Sequence, residues 1–170
     1  TTTVNGNIIA TAISIVGTAN LTMGADDDIT SDVTATTNAG FLVLGDGADV
    51  TGFVKNTNDD DLTLTVNGTS TITGLVGTSA DPLKAVAVAG SGKTLSLEDD
   101  IYSTAAIAIA DGATLAFTGT DNIRTTKGAV TVTGAGGINV GTATVTAASG
   151  VYTCGTTCPF TVTIGTTNGQ

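Results

Sequence analysis

The chain has 170 residues, among them 37 Thr and 23 Gly, with 15 acidic against 5 basic side chains, no His, no Trp and two Cys. A net charge of −10 with five scattered cations argues against nucleic acid or an anionic membrane as partner, because so few cations displace few phosphate counterions. The length is that of one domain, and the apolar fraction of 41% comes mainly from Ala, Val and Ile, with aromatics at 4% and charged residues at 12%. Thr and Val favour strands, while Gly, Asn and Asp favour turns, so the composition reads as all-β.

The N-terminus begins Thr1-Thr2-Thr3, without an initiator Met or a basic n-region, as expected of a processed secreted protein. No run has the apolar length of a transmembrane helix; Ile101 to Ala110 is broken by Ser and Thr. Within residues 1–40, Ile13/Ile15 followed by Leu21/Met23 marks two short strands offset by eight residues. This part is expected to form an N-terminal strand segment or irregular coils.

Residues 41–150 carry a repeat. Apolar pairs at Phe41/Val43, Leu62/Leu64, Val86/Val88, Ile107/Ile109 and Val130/Val132 step by 21, 24, 21 and 23 residues. A second track, Val50, Ile72, Leu95, Leu115 and Ile138, keeps pace after a Gly-rich or Asn-Gly turn, and a third runs through Phe53, Leu75, Ile101, Ile123 and Val145. Three short strands in about 22 residues cannot close a core alone, but stacked units bury one another. The expected architecture is a right-handed parallel β-solenoid of about five or more coils with three strands per coil. Five coils at ~4.8 Å each give a rod about 25 Å long. The alternative is a β-sandwich, pilin-like domain, to which Asn67-Gly68 and Asp111-Gly112 contribute hairpin signals. A sandwich does not require matched phase in three tracks.

The stretch from Thr71 to Ala80 (TITGLVGTSA), continuing through Pro82 to Val86, Thr94 to Leu97 and Asp100 to Thr104, resembles the passenger repeats of rickettsial surface cell antigens, which are autotransporter outer-membrane proteins. Ala113 to Gly119 is similar to the strand that follows in those repeats. The resemblance covers roughly residues 50–140. It implies a bacterial, exported or cell-surface β-helix with an adhesive or coat-like role.

Residues 151–170 form the third region, a cysteine loop followed by a strand. Cys154 and Cys158, with three residues between them and the only cysteines, are expected to form a local disulfide in an oxidising compartment. A metal site would need more soft ligands, and a redox pair would need a two-residue spacing. Phe160, Val162 and Ile164 mark a strand that lies outside the repeat phase. Together with Val4, Ile9, Ile13 and Ile15 it is expected to serve assembly, because a solenoid leaves unpaired edges at both ends and such edges template association.

Acidic clusters fall between the tracks: Asp26 to Asp28, Asp59 to Asp61, and Glu98 to Asp100. Solvated turns account for them. Bound Ca²⁺ could relieve their repulsion, which makes Asp46, Asp49, Asp59, Asp60, Asp61, Asp99 and Asp100 weak calcium candidates. Gly45 to Asp49 (GDGAD) partly matches a calcium-binding nonapeptide but occurs once. No other cofactor is expected. Ala87 to Thr94 echoes a phosphate loop, yet Ala87 replaces its first Gly and a strand follows, so no helix N-terminus is available to hold an anion. With one Arg, no Trp and two Tyr, a saccharide cleft has little to be built from. Asn20-Leu21-Thr22 and Asn67-Gly68-Thr69 match the glycosylation pattern, as Thr-rich sequence often does.

The expected protein is therefore noncatalytic, extracellular and structural. It would polymerise head to tail with itself, attaching to an outer membrane or host surface only through other components. The alternative is an adhesin passenger fragment that binds a host receptor or glycan.

Overall fold

The computed structural model describes residues 1–118 apart from 38, 59 and 106, and beyond them the backbone of the strands at 123–127, 130–132, 137–139, 144–147, 153–154 and 162–163. The first coil is β1 (Thr2–Val4), β2 (Ile8–Ile9) and β3 (Ile13–Val16), and the second is β4 (Asn20–Met23), β5 (Ile29–Thr30) and β6 (Val33–Thr37). The third is β7 (Gly40–Leu44), β8 (Val50–Thr51) and β9 (Val54–Asn56); the fourth is β10 (Leu62–Val66), β11 (Ser70–Ile72) and the bridge residue Val76. The fifth is β12 (Ala85–Val88), β13 (Thr94–Leu97) and β14 (Ile101–Tyr102), and the sixth is β15 (Ile107–Ile109), β16 (Thr114–Phe117) and β17 (Ile123–Lys127). Above them lie β18 (Val130–Val132), β19 (Gly137–Asn139) and β20 (Thr144–Ala147), then β21 (Thr153–Cys154) and β22 (Val162–Thr163). Among the described residues there is no helix, and so none long and apolar enough to cross a membrane.

Each coil contributes one strand to each of three parallel sheets. Sheet A, β1-β4-β7-β10-β12-β15-β18-β21, and sheet B, β2-β5-β8-β11-β13-β16-β19-β22, are eight strands deep. Sheet C consists of β3-β6-β9 below and β14-β17-β20 above, joined through Val54, Val76 and Ile101. The protein is a parallel β-solenoid, and the sandwich alternative is excluded because all these ladders are parallel. Residues 1–40 wind in the same sheets as the rest. Asn67-Gly68 is a corner between sheets A and B and not a hairpin turn.

Inward residues form columns. Leu21, Leu42, Leu64, Val86 and Ile107 stand over one another in sheet A, paired at steps of 21 or 22 residues. In sheet B, Ile8, Ile29, Val50 and Ile72 do the same, and in sheet C, Ile13, Val33 and Val54. From Leu42 to Leu115 the column residues are almost wholly excluded from solvent, so each apolar side chain is covered by the coils above and below it. The coil between Ile72 and Leu97, which pair directly, is longer than its neighbours because residues 78–81 leave the wall in a turn closed by Thr78 N–H on the Asp81 carbonyl. They return at Pro82, whose carbonyl accepts from Asn56 Nδ2 at 2.8 Å, and at buried Leu83, which bridges to Ser103.

The structure corrects the phase of two tracks. In β7 the inward pair is Leu42/Leu44, both 0% exposed, while Phe41 is 40% exposed. In sheet C the inward residues are Val54 and Val76, and Phe53 lies outside at 39%. Runs such as Phe41-Leu42-Val43-Leu44 and pairs such as Phe53-Val54 and Leu75-Val76 are apolar on both faces, so alternation leaves their phase open by one residue. Register with neighbouring coils decides it, and a one-residue slip exchanges the two faces. Ile101 stands in register with Thr126, not Ile123. The terminal strand is also corrected: Val162 pairs with Ile138 and is in the stack, not outside the repeat phase.

Leu42→Ser is expected to lose about 3 kcal/mol or more of stability by core truncation and burial of a hydroxyl, whereas Phe41→Ser changes it by less than about 1 kcal/mol. Urea unfolding followed by circular dichroism distinguishes the two, and equal losses would contradict the inward phase.

Candidate functional site

Two features of the stack are more than core: the corner between sheets A and B, and the open edge of the first coil. At that corner each turn lies on the turn below. A Cβ on Gly68 would collide with backbone atoms of Gly45 and Asp46, and one on Gly45 with the backbone of Gly24 and Met23. Glycine is required because turn backbones approach more closely than any side chain permits.

Acidic side chains occupy the same corner as hydrogen-bond acceptors. Asn7 Oδ1 accepts from the Asp28 N–H at 2.9 Å, Asp28 Oδ1 from Asp49 N–H at 3.0 Å, and Asp49 Oδ1 from Thr71 N–H at 2.6 Å. This ladder of side chains joins four successive coils. Beside it, Asp46 Oδ1 accepts from Thr69 N–H at 2.8 Å and Asp46 Oδ2 meets Lys93 Nζ at 2.6 Å, so Asp46 holds the next coil through its backbone and the one after through an ion pair. The Lys93 ammonium, then the Thr69 N–H, holds the Asp46 carboxyl below its usual range. Asp32 Oδ1 accepts from Phe53 N–H at 3.0 Å at the corner between sheets B and C. Charge-assisted bonds of this kind satisfy backbone donors at the turns and, at Thr71, in β11.

The other acidic candidates are dispersed. Asp99 Oδ1 accepts from the Asp100 N–H, and Asp100 Oδ2 accepts from the Tyr102 hydroxyl. Asp60 has a positive φ of 65° in its turn, and Asp61 is buried nearby at 5% exposure. Asp59 lies outside the described residues. Among the described residues no three His, Cys, Asp or Glu side chains gather as a metal-ligand set. The sequence reading missed the ladder, although residues 7, 28, 49 and 71 recur at the strand period and would have shown it.

Among the described residues the open edge is made by β1, β2 and β3, each paired on one side only. Val4, Ile8 and Ile13 end the apolar columns there and are only partly buried, while Ile15 is buried. Ile9 is 82% exposed and Val16 62%. The N–H groups of Ile8 and Ala10 donate upward to Asp28 and Thr30; alternation along a parallel strand therefore turns the Ile9 N–H and C=O toward the open side. Of the expected C-terminal residues, Val162 is placed by its backbone in β22, Cys154 stands in register with Val132, and the Cys154–Cys158 pairing, Phe160 and Ile164 fall outside the described residues.

Comparison with family models, with curated proteins and with solved structures gave no match. Of the resemblance drawn from the repeats, the β-solenoid fold is what stands.

Gly68→Ala should cost about 1–3 kcal/mol through overpacking. Asp49→Ala should cost about 1 kcal/mol, with Asp49→Asn recovering most of it because an amide oxygen still accepts from Thr71. Because its carboxyl is shifted downward, Asp46 contributes stability that is present above the ordinary Asp range and is lost as pH falls below about 4. Thermal melts of parent and Asp46→Asn should therefore differ at pH 7 and approach one another as pH falls below the ordinary Asp range. A difference unchanged with pH would contradict the role given to this ion pair.

Proposed function

We propose that this chain is a noncatalytic extracellular structural protein of bacterial type, which assembles head to tail into a surface filament or coat. The observation that supports it best is the open first coil, where three unpaired strand edges coincide with the uncovered ends of the Val4, Ile8 and Ile13 columns. A coil has two different faces, so contact between its ends is heterologous and propagates unless rotation closes it. Each junction would add ladder bonds and cover the column ends, the same interactions that hold one coil to the next. The acceptor is the last coil of another copy, which includes the strand containing Val162.

The repeat resemblance to autotransporter passengers supports an exported, coat-like setting, and secretion agrees with the disulfide expected between Cys154 and Cys158, the only two cysteines of the sequence. The second reading is an adhesin passenger, supported by the excursion at 78–81, which places Ser79 and Ala80 at the surface.

Ile9→Pro tests the assembly directly. Proline removes one donor from the open side and leaves the bonds of Ile8 and Ala10 to the second coil in place. The parent is expected to form filaments by negative-stain electron microscopy, and Ile9→Pro to sediment as a monomer with an unchanged circular dichroism spectrum. A parent that stays monomeric at high concentration would favour the adhesin reading instead.

A further inference from the structure

Among the described residues the tripeptide Val-Asn-Gly stands at two places, Val4-Asn5-Gly6 and Val66-Asn67-Gly68. Each copy leaves sheet A at the end of a strand, β1 in the first coil and β10 in the fourth, so both occupy the corner between sheets A and B. Asn-Gly is prone to succinimide formation because glycine has no side chain to hinder attack by its own nitrogen. In that reaction the Gly nitrogen gives up its proton and bonds to the Asn Cγ, the Cγ–Nδ2 bond breaks, and the amide leaves as ammonia. Water then adds to either ring carbonyl, opening the ring to Asp or to isoaspartate, whose main chain runs through Cγ and is one carbon longer.

Val precedes and Gly follows Asn in both copies, so these neighbours do not separate them. The fold does. Ring closure needs rotation of the Asn main chain to bring the Gly nitrogen against Cγ. At the fourth coil this backbone is held: Asn67 N–H donates to the Leu44 carbonyl at 2.9 Å and Thr69 N–H to Asp46 Oδ1 at 2.8 Å. Gly68 between them is buried against the backbone of Gly45 and Asp46, and a Cβ on Gly90 in the coil above would stand 2.7 Å from the Asn67 carbonyl oxygen. At the first coil only the coil above is present. Val4 pairs with Met23, so Asn5 stands below Gly24, whose N–H donates down to the Val4 carbonyl at 3.1 Å. The Asn5 N–H is directed the same way, where among the described residues no coil lies. Gly6 has a φ of 132°, and a Cβ on it would meet no atom within 4 Å. Both Asn side chains are exposed, so access of water does not distinguish the two sites.

We infer that Asn5-Gly6 is a site of spontaneous deamidation, converting to Asp and isoaspartate while the first coil is uncovered, and that Asn67-Gly68 is preserved by the coil beneath it. Head-to-tail assembly puts a coil beneath Asn5 as well and would protect it; this second part rests on the assembly proposed above. Conversion has a local consequence. A Cβ on Gly24 would meet both Asp27 Oδ2 and Asn5 Oδ1, so the new carboxylate forms beside an existing one and is repelled by it. Isoaspartate also lengthens the main chain between β1 and Asn7, the foot of the corner ladder. The first coil of an unassembled chain therefore changes with time at the end where another copy would join.

The test is peptide mapping by mass spectrometry during incubation in mildly alkaline buffer, with Asp and isoaspartate at positions 5 and 67 scored in the same sample. In the folded Ile9→Pro protein, Asn5 is expected to convert at least about tenfold faster than Asn67, whose reaction waits on local opening of the stack. In urea the two rates should become equal. Equal rates in the folded protein, faster loss at Asn67, or a difference that persists in urea would overturn the assignment of the site. In filaments of the parent, conversion at Asn5 should fall to the level of Asn67, and filaments whose Asn5 converts as fast as in Ile9→Pro would overturn protection by assembly. A parent that forms no filaments removes the assembly reading and that protection with it, whereas the ratio between the two sites stands or falls by itself.

Discussion

Every part of this structure depends on a single spacing, the ~4.8 Å between parallel strands. Three sheets share it, so turns as well as strands must stack at that distance. In the strands the backbone ladder meets the requirement without help. At the corners it does so only in part: the N–H groups of Asp26, Gly47 and Gly92 reach carbonyls of the neighbouring coil, while those of Asp28, Asp49 and Thr69 are met by side chains, and the turn backbones approach closely. Close approach is met by glycines such as Gly45 and Gly68, whose missing Cβ atoms leave room for the turn below. The stranded donors are met by Asn7, Asp28, Asp46 and Asp49, which accept them from one coil away.

This division of labour explains the unusual composition. Strand interiors take Val, Leu and Ile because columns of apolar side chains bury one another. Outward positions take Thr and Ala, which fit a pleated surface with little bulk. Acidic residues concentrate at the corners, where several serve as backbone acceptors. A chain with a threefold excess of acids over bases therefore presents one sheet with no charge at all. Basic residues appear in the strands of sheet C, at Lys55, Arg124 and Lys127.

Period was legible in the sequence, and phase was not. Alternation in Leu62-Thr63-Leu64-Thr65-Val66 has one solution, and the structure has Leu62, Leu64 and Val66 inside. Alternation in Phe41-Leu42-Val43-Leu44 has two, and the Phe41/Val43 pair is the one that lies outside. Only the neighbouring coil decides between them, which is information about pairing and not about one strand. The corner ladder was hidden for a different reason. Asp26 to Asp28 and Gly45 to Asp49 look like isolated turn clusters or cation sites when read locally. Their partners are main-chain donors 21 to 23 residues away, which carry no side-chain signature.

If coils add across molecules as they add within one, the spacing that organises the chain must continue through the assembly. Fibre diffraction from oriented assemblies of the parent protein measures this directly. Coaxial, head-to-tail stacking predicts a sharp reflection at ~4.8 Å along the fibre axis, with no break in the repeat at the junctions. A ~4.8 Å reflection perpendicular to the fibre axis would mean that the rods lie across the fibre, and would contradict the account.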